Sequence, residues 1–283
     1  MAGRVAAEAK DAAVTTDIER LVLTYPYKGC PEVRLAWAMV AYGPFPFAEV
    51  YASHLCAIAF ASRYFAVHFL NGESLIRTVG SSDRMYTHSA ENAVAREFLN
   101  SDATHLFMTE MDLVLPIDTI PALLQVDRPI VSGLYFLRGG RGQPCLYAKG
   151  LTPGRNPFPH TPVSVFPTER PFKLGRLGGC PGLGCVLLRR EVFEAIEEPW
   201  FDLKERQPKT EEGYGSDMYF FTKVRDAGFE VWVDPRIRCG HMDYVSVGFD
   251  DYLTRLKDDK SYGRSGFVIG VPDDLSSPSP VGA

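Results

Sequence analysis

The sequence predicts an α/β fold in which a mixed, mostly parallel sheet is flanked by helices. Leu106, Phe107 and Met108 are consecutive apolar residues, and such a run is typical of a strand that helices cover on both faces. In the first half of the chain, strand-like apolar runs alternate with helical patterns, which favours crossover helices and a parallel sheet. The run at 105–110 also ends on acid, so we take it as the element that organises the rest.

The first half supplies three of the predicted strands. Residues 33–42 are strongly apolar and are followed by a Gly-Pro-rich loop, which predicts a strand that ends in a loop. A buried helix over 47–62 and a second strand over 64–70 come next. Ser89 is a suitable N-cap for a helix that runs to residue 99 and leads into the acidic strand.

The second half predicts further strands and helices separated by one irregular segment. Residues 144–176 are rich in proline and aromatic residues without a period, which indicates an irregular excursion. Ser216 is predicted to cap a helix that ends before Gly228, a residue suited to the position after a helix. The other predicted elements are strands over 129–136, 185–188, 229–233 and 237–239 and helices over 191–197 and 249–258.

These elements predict one domain with two extensions. Residues 1–30 are predicted to be a polar lead-in, residues 31–258 the folded domain, and residues 259–283 a flexible C-terminal tail that is rich in Ser and Pro from Pro272. No internal repeat is evident.

Composition and charge narrow the function classes. The net charge of −5 gives no general basic footprint for nucleic acid or anionic membranes. The six cysteines are scattered without a zinc spacing, which indicates reduced thiols, although one disulfide stays open. Charged residues interrupt the N-terminal segment, and no apolar run reaches the roughly 20 residues that span a bilayer. We therefore expect a cytoplasmic protein without membrane insertion.

Two carboxylates close the acidic strand. Glu110 and Asp112 are two residues apart, so on an extended backbone their side chains point to the same side and can share a cation. Ligands collect at the carboxyl ends of strands in such sheets, and carboxylate oxygens suit Mg²⁺ or Mn²⁺. Read on its own, the pair could equally be a helix-capping acid and a solvated acid.

Three stretches, taken together, resemble the GT-A glycosyltransferases, particularly the small bacterial and phage proteins related to family two. The first is NAVAREFLNSDATHLFMTEMDLVLP at 92–116, a helix that leads into a variant of the Asp-x-Asp motif. The others are GCPGLGCVLLRREVFEAI at 179–196 and GYGSDMYFFTKVRDAGFEVWVDPRIRCGH at 213–241. The resemblance covers about residues 33–245, and the order and spacing of the motifs carry it.

The resemblance implies a GT-A (Rossmann-like) fold and assigns roles to particular residues. Glu110 and Asp112 would hold Mn²⁺ or Mg²⁺ against a diphosphate, with His241 completing the coordination, and Asp217 would be the catalytic base. The nucleotide-sugar contacts would come from Tyr42, Gly43, Pro44, Asp83, Arg84 and Asn92. The acceptor side would be formed by Gly182, Gly184 and Tyr214.

Three residues depart from the family pattern. Many relatives have Asp where Glu110 stands, and the longer side chain could leave only Asp112 on the metal. Inverting relatives commonly carry Glu where Ser216 stands, which leaves a retaining mechanism open. Glu91 occupies a position where relatives often have Arg.

The sequence therefore supports several functional hypotheses. The first is a metal-dependent hexosyltransferase-like enzyme of a bacterial or phage-infected cell that moves a sugar from a UDP- or GDP-sugar to a hydroxyl of a glycan or small molecule. The second is a phage-type transferase that glycosylates modified DNA bases, with basic residues such as Arg138, Arg141, Lys149 and Arg155 along its path. The third is a GT-A-like module that binds a nucleotide or glycan without turnover. A nucleotidyltransferase is a further alternative, and the basic loop at 138–143 is either a surface connection or a lid over phosphates.

Overall fold

The computed structural model describes most of the predicted domain. The described residues are 33–40, 48–64, 66–69, 86–138, 142–149, 160–174, 179–203, 215–243, 246–258 and 267–268. The predicted lead-in at 1–30 and the tail from residue 269 onward lie outside them.

Fourteen strands and six helices are defined within the described residues. The strands are β1 (Arg34–Val40), β2 (Ala66–Phe69), β3 (His105–Glu110), β4 (Leu113–Val114), β5 (Ile130–Leu134), β6 (Leu146–Lys149), β7 (His160–Val165), β8 (Phe172–Lys173), β9 (Cys180–Pro181), β10 (Cys185–Arg189), β11 (Val231–Arg238), β12 (Gly240–Met242), β13 (Ser246–Val247) and β14 (Phe267–Val268). The helices are α1 (Ala48–Ala61), α2 (Thr87–Asn100), α3 (Thr119–Gln125), α4 (Arg190–Glu194), α5 (Ser216–Asp226) and α6 (Phe249–Asp258).

A seven-stranded sheet forms the centre of the molecule, in the order β2-β1-β3-β10-β5-β11-β8. Strand β1 pairs in parallel with β2 and β3, and β11 pairs in parallel with β5. Strand β10 is antiparallel to both of its neighbours, and β8 is antiparallel at the edge. All strands except β10 and β8 therefore run in one direction, which confirms the predicted mixed, mostly parallel α/β sheet flanked by helices.

Strand β3 lies in the middle of this sheet and is covered on both faces. Leu106, Phe107 and Met108 have no exposed surface. Leu106 and Met108 belong to a hydrophobic cluster with Phe98 of α2, whereas Phe107 packs in a second cluster with Trp37 of β1. The alternation of side chains along a strand sends neighbours to opposite faces, and here both faces are apolar.

Helix α2 begins earlier than the sequence predicts. It starts at Thr87, with Tyr86 at the N-cap position and no side-chain hydrogen bond there, so the assignment of Ser89 as the cap is wrong. Its other end is held by Arg190, whose guanidinium donates hydrogen bonds to backbone carbonyls of α2 and of the following turn. In α5 the N-cap position is occupied by Gly215 and Ser216 is the first helical residue, so the assignment of Ser216 as the cap is wrong. The end of α5 matches the prediction, because Gly228 has a φ of +89°.

The segment predicted to be irregular contains strands. Strands β6 and β7 pair with each other, β6 also pairs with β9, and β7 pairs with β14, which gives a four-stranded sheet. The prediction of an excursion over 144–176 is therefore wrong for β6, β7 and β8, because these strands are short and β7 contains a proline, so they show little alternation. Strand β14 pairs although it lies in the segment predicted to be a flexible tail.

Two further observations bear on the sequence predictions. No described helix has the length and apolar character that crossing a bilayer requires. Among the described residues, Cys56 is an exposed thiol, and Cys145, Cys180, Cys185 and Cys239 are buried free thiols.

Candidate metal centre and its surroundings

The acid pair lies where β3 leaves the central sheet. Glu110 is the last residue of β3, and its backbone N–H donates to the carbonyl of Gly184 at 3.2 Å. The chain then turns through Asp112 into β4. The Asp112 carbonyl accepts a hydrogen bond from the backbone of Met242 at 2.8 Å. Backbone hydrogen bonds to Gly184 and to Met242 thus fix the main-chain positions of Glu110 and Asp112.

A second, smaller sheet brings His241 to this strand end. Strand β12 pairs antiparallel with β4, with His241 opposite Leu113. The ring Nδ1 donates a hydrogen bond of 2.6 Å to the Phe136 carbonyl. Because Nδ1 carries that hydrogen, Nε2 of the neutral ring has a free lone pair that a cation can accept, and the protonated ring can donate from Nε2 to a carboxylate instead. Nε2 lies 3.3 Å from Asp112 Oδ2.

Glu110, Asp112 and His241 form a cluster whose potential ligand atoms all lie within 4.8 Å of one another. Within the described part of the chain, neither Asp112 Oδ1 nor His241 Nε2 has a hydrogen-bond partner, although both atoms are buried. Buried polar atoms are normally satisfied, so these two need an explanation. Two carboxylates and an imidazole are a suitable donor set for Mn²⁺ or Mg²⁺, and the residues present fit the predicted cation.

Helix α1 supports the segment that follows Asp112. His54 donates from Nε2 to the Leu113 carbonyl at 2.9 Å, and Ser53 Oγ accepts from the backbone of Leu115 at 3.1 Å. Burial lowers the pKa of His54 to about 4, so the ring is neutral near pH 7. The sequence analysis missed this support, because the partners lie about sixty residues apart and no local pattern signals the contact.

The charges of the cluster shift one another. Burial, followed by the Asp112 carboxylate, raises the pKa of Glu110 to about 7. Burial would also raise the pKa of Asp112, but the His241 ring and the Arg138 guanidinium outweigh it and lower that pKa. Burial would lower the pKa of His241, but the Asp112 carboxylate and the Phe136 carbonyl raise it. A cation bound here would therefore compete with protons for the same atoms.

Asp217 lies in the first turn of α5 and faces the same region. Its Oδ1 accepts a hydrogen bond from the backbone of Met218 at 2.7 Å, which fixes the carboxylate against its own helix. Burial raises the pKa of Asp217, and its negative charge contributes to the raised pKa of Glu110. The predicted base and the predicted metal ligands are therefore electrostatic neighbours.

Glu91 is a buried acid for which the sequence analysis gave no role. It lies on α2 and is 2% exposed, and Oε2 has no hydrogen-bond partner within the described residues. Burial raises the pKa of Glu91 to about 8, and the charges of Asp217 and Glu110 also raise it. The neighbouring Ser216 side chain lowers this pKa, but by less than burial raises it. Glu91 therefore joins α2 to the start of α5 beside the candidate centre.

Asn92 is held by structural hydrogen bonds. Its Nδ2 donates to the carbonyls of His88 and Phe201, and its Oδ1 accepts from the backbones of Trp200 and Phe201. Both amide hydrogens are used. This geometry favours a structural role, which ties α2 to the 200–201 segment, over the nucleotide-sugar contact that the resemblance implied.

Gly182 and Gly184 make room for a tyrosine beside the acid pair. A Cβ on Gly182 would lie 1.9 Å from the Tyr135 hydroxyl oxygen, and one on Gly184 would lie 2.8 Å from both the ring of Tyr135 and Leu113. The Gly184 N–H donates to the Tyr135 hydroxyl at 3.1 Å. Packing of neighbouring elements accounts for both glycines, and their place on the acceptor side stays a prediction.

The remaining predicted site residues cannot be placed. Tyr42, Gly43, Pro44, Asp83, Arg84 and Tyr214 lie outside the described residues. Their predicted contacts with the nucleotide-sugar or the acceptor stay predictions.

No protein-family profile matches the chain, and no curated protein sequence matches it either. Solved structures similar to it include the A197 protein from STIV, at 17% identity and a TM-score of 0.43, with 75% of this chain and 86% of that chain covered. A Drosophila β-1,4-galactosyltransferase 7 mutant in complex with manganese, UDP-Gal and xylobiose has 17% identity and a TM-score of 0.35, with 86% of this chain and 78% of that chain covered. The inositol-1-phosphate CTP transferase from T. maritima has 14% identity and a TM-score of 0.32, with 81% of this chain and 98% of that chain covered. All three TM-scores lie below 0.5, so none of these similarities assigns a function to this chain.

Proposed function

We propose that this protein is a metal-dependent glycosyltransferase that moves a sugar from a UDP- or GDP-linked donor to an acceptor hydroxyl. One observation carries the proposal: Glu110, Asp112 and His241 converge at the end of β3, and two of their atoms, Asp112 Oδ1 and His241 Nε2, are buried without a hydrogen-bond partner among the described residues. Nucleotide ligands gather at the carboxyl ends of strands in such sheets, which favours a phosphate-bearing substrate here.

The three converging residues would hold Mn²⁺ or Mg²⁺. When bound, such a cation neutralises the charge that grows on a nucleoside diphosphate leaving group. The chain's own contribution is orientation. The hydrogen bond from His241 Nδ1 to the Phe136 carbonyl aims Nε2 at Asp112, and the pairing of β12 with β4 keeps the two residues in register.

Asp217 is the proposed base. Glycosyl transfer to a hydroxyl requires removal of the hydroxyl proton, and a carboxylate with a raised pKa accepts a proton more readily near neutral pH. Burial raises the pKa of Asp217, and the hydrogen bond from Met218 holds its position. Glu91 is less suited to this role, because its pKa of about 8 leaves it protonated at pH 7.

Nucleotide binding tests the donor site directly. Thermal unfolding of the wild type and of Asp112→Ala is measured with UDP, GDP, CDP and dTDP, each with and without Mn²⁺. A nucleotide at 100 times its Kd stabilises the folded state by about 2.7 kcal/mol, so a true donor class gives a clear shift. We expect UDP or GDP to stabilise the wild type only with Mn²⁺, and Asp112→Ala to lose the effect.

Asp250→Ala is the matched control, because Asp250 is an exposed carboxylate on α6. It should respond to nucleotide as the wild type does. If no nucleotide stabilises the wild type with Mn²⁺ present, the proposed donor class is wrong.

Turnover separates an enzyme from a binding module. Release of UDP or GDP from the corresponding sugar nucleotide is followed in the presence of Mn²⁺, for the wild type and for Asp217→Asn. We expect release by the wild type and a loss of about 10²-fold or more in Asp217→Asn, because general-base catalysis typically contributes that much. Nucleotide binding without release under any donor would favour the module that binds without turnover.

A further inference from the structure

Arg138 contacts the candidate metal centre from its exposed side. Its Nη1 lies 3.1 Å from Asp112 Oδ2, the same oxygen that lies 3.3 Å from His241 Nε2. The Arg138 side chain is 53% exposed, whereas the side chains of Asp112 and His241 are 11% and 7% exposed. The Arg138 guanidinium therefore lies between solvent and the buried Asp112 carboxylate, at the exposed side of the candidate metal centre.

The position of Arg138 has opposite consequences for a cation and for a diphosphate. If Asp112 held a divalent cation, the cation and the Arg138 guanidinium would both lie against the same carboxylate. Both are positively charged, so they would repel each other. A diphosphate brings negative charge to the same place. The planar guanidinium donates bidentate hydrogen bonds to phosphate oxygens, which makes it a strong phosphate ligand.

We propose that Arg138 is a phosphate ligand of the nucleotide donor and that it couples nucleotide binding to metal binding. Arg138 weakens the binding of the cation alone and strengthens the binding of the nucleoside diphosphate to the metal-loaded site. This inference rests on the proposed function and names the phosphate subsite within it. The consequence is that metal and nucleotide are retained together, since each binds better when the other is present.

The substitution Arg138→Gln tests both halves with opposite signs. Without the guanidinium, we expect the affinity for Mn²⁺ alone to rise about tenfold, because one repulsive charge at a largely solvated distance is removed. We expect the affinity for UDP or GDP at saturating Mn²⁺ to fall about tenfold, because a hydrogen bond to a charged group is lost. General damage to the fold would lower both affinities together.

The measurements are a Mn²⁺ titration followed by electron paramagnetic resonance of free Mn²⁺, and calorimetric titrations of UDP and of GDP at saturating Mn²⁺. Arg138→Lys keeps the charge but not the bidentate geometry, so it should bind Mn²⁺ as the wild type does and bind the nucleotide more weakly. Arg96→Gln is the matched control, because the Arg96 side chain is also 53% exposed and also ion-paired, with Glu198. It should change neither affinity.

The outcomes separate this inference from the proposed function. If the wild type binds UDP or GDP with Mn²⁺ and Arg138→Gln binds that nucleotide equally well, the inference is wrong and the proposed function stands. An affinity for Mn²⁺ alone that does not rise in Arg138→Gln also overturns the inference. If the wild type binds neither nucleotide with Mn²⁺, the proposed function fails and the inference fails with it.

Discussion

Replacing Glu91 by glutamine should change how the stability of the protein depends on pH. Burial raises the pKa of Glu91 to about 8 in the folded state, compared with an ordinary value of 4.5. Between these two pH values the folded state keeps a proton that the unfolded chain has released. The free energy of unfolding therefore falls as pH rises through this window, by up to about 1.4 kcal/mol per pH unit.

The expected size follows from this window. From pH 5 to pH 8 the wild type should lose roughly 3 kcal/mol of stability through Glu91 alone. Glu91→Gln has no proton to lose and keeps an oxygen that can accept from Ser216. The variant should therefore resemble the wild type at pH 5 and be more stable than it at pH 8.

Urea unfolding of both proteins at pH 5, 6, 7 and 8, in chelator, measures the difference. Glu194→Gln is the control, because Glu194 is exposed and its ion pair with Arg190 is long, at 3.8 Å, so its removal should have little effect. A difference between wild type and Glu91→Gln that does not grow with pH would refute the reasoning about this buried acid.

Three further predictions concern the metal centre and the elements that frame it. The affinity of the wild type for Mn²⁺ should fall as pH is lowered from 8 to 6, because Glu110 and His241 take up protons on the ligand atoms. Calorimetric titration with Mn²⁺ at several pH values measures this, and a constant affinity would contradict it. Arg190→Lys should destabilise the protein by about 2 kcal/mol in urea unfolding, since lysine cannot replace the guanidinium hydrogen bonds to the end of α2, and an unchanged midpoint would count against that role. Gly184→Ala should cost about 1–3 kcal/mol, because the added methyl would meet the Tyr135 ring at 2.8 Å, and a neutral result would show that the ring moves aside.

Most of the central sheet could be predicted from the sequence because its longer strands carry local signals. Its edge strand β8 lies in the segment predicted to be irregular, and β11 is one strand where two were predicted, over 229–233 and 237–239. The consecutive apolar residues of β3 indicated burial on both faces, and β3 is buried in that way. The small sheet of β6, β7, β9 and β14 was missed for the opposite reason. Its strands are short and pair with partners that include β14, about a hundred residues after β7, so pairing rather than local pattern defines them.

The site was predictable only where its residues carry a motif. Glu110 and Asp112 follow an apolar strand, which made the pair visible as possible ligands. Two other contacts, Arg138 with Asp112 and His54 with Leu113, depend on how distant elements pack. No local pattern in the sequence predicts them. The pairing of β12 with β4 also needed the structure, although the resemblance had suggested His241 as a ligand.

Two residues that depart from the pattern of the resemblance lie close together in the structure. In the sequence, Glu91 and Ser216 are separate anomalies, an acid where relatives often have Arg and a hydroxyl where inverting relatives commonly have Glu. In the structure, Ser216 lies beside the Glu91 carboxyl group and lowers its pKa, against the larger effect of burial. A carboxyl group is therefore present beside Asp217, but it comes from α2 instead of α5. Asp217 therefore has a neighbouring carboxyl group that is protonated near pH 7, because burial raises the pKa of Glu91 to about 8, and this neighbour is present only because α2 packs against the start of α5.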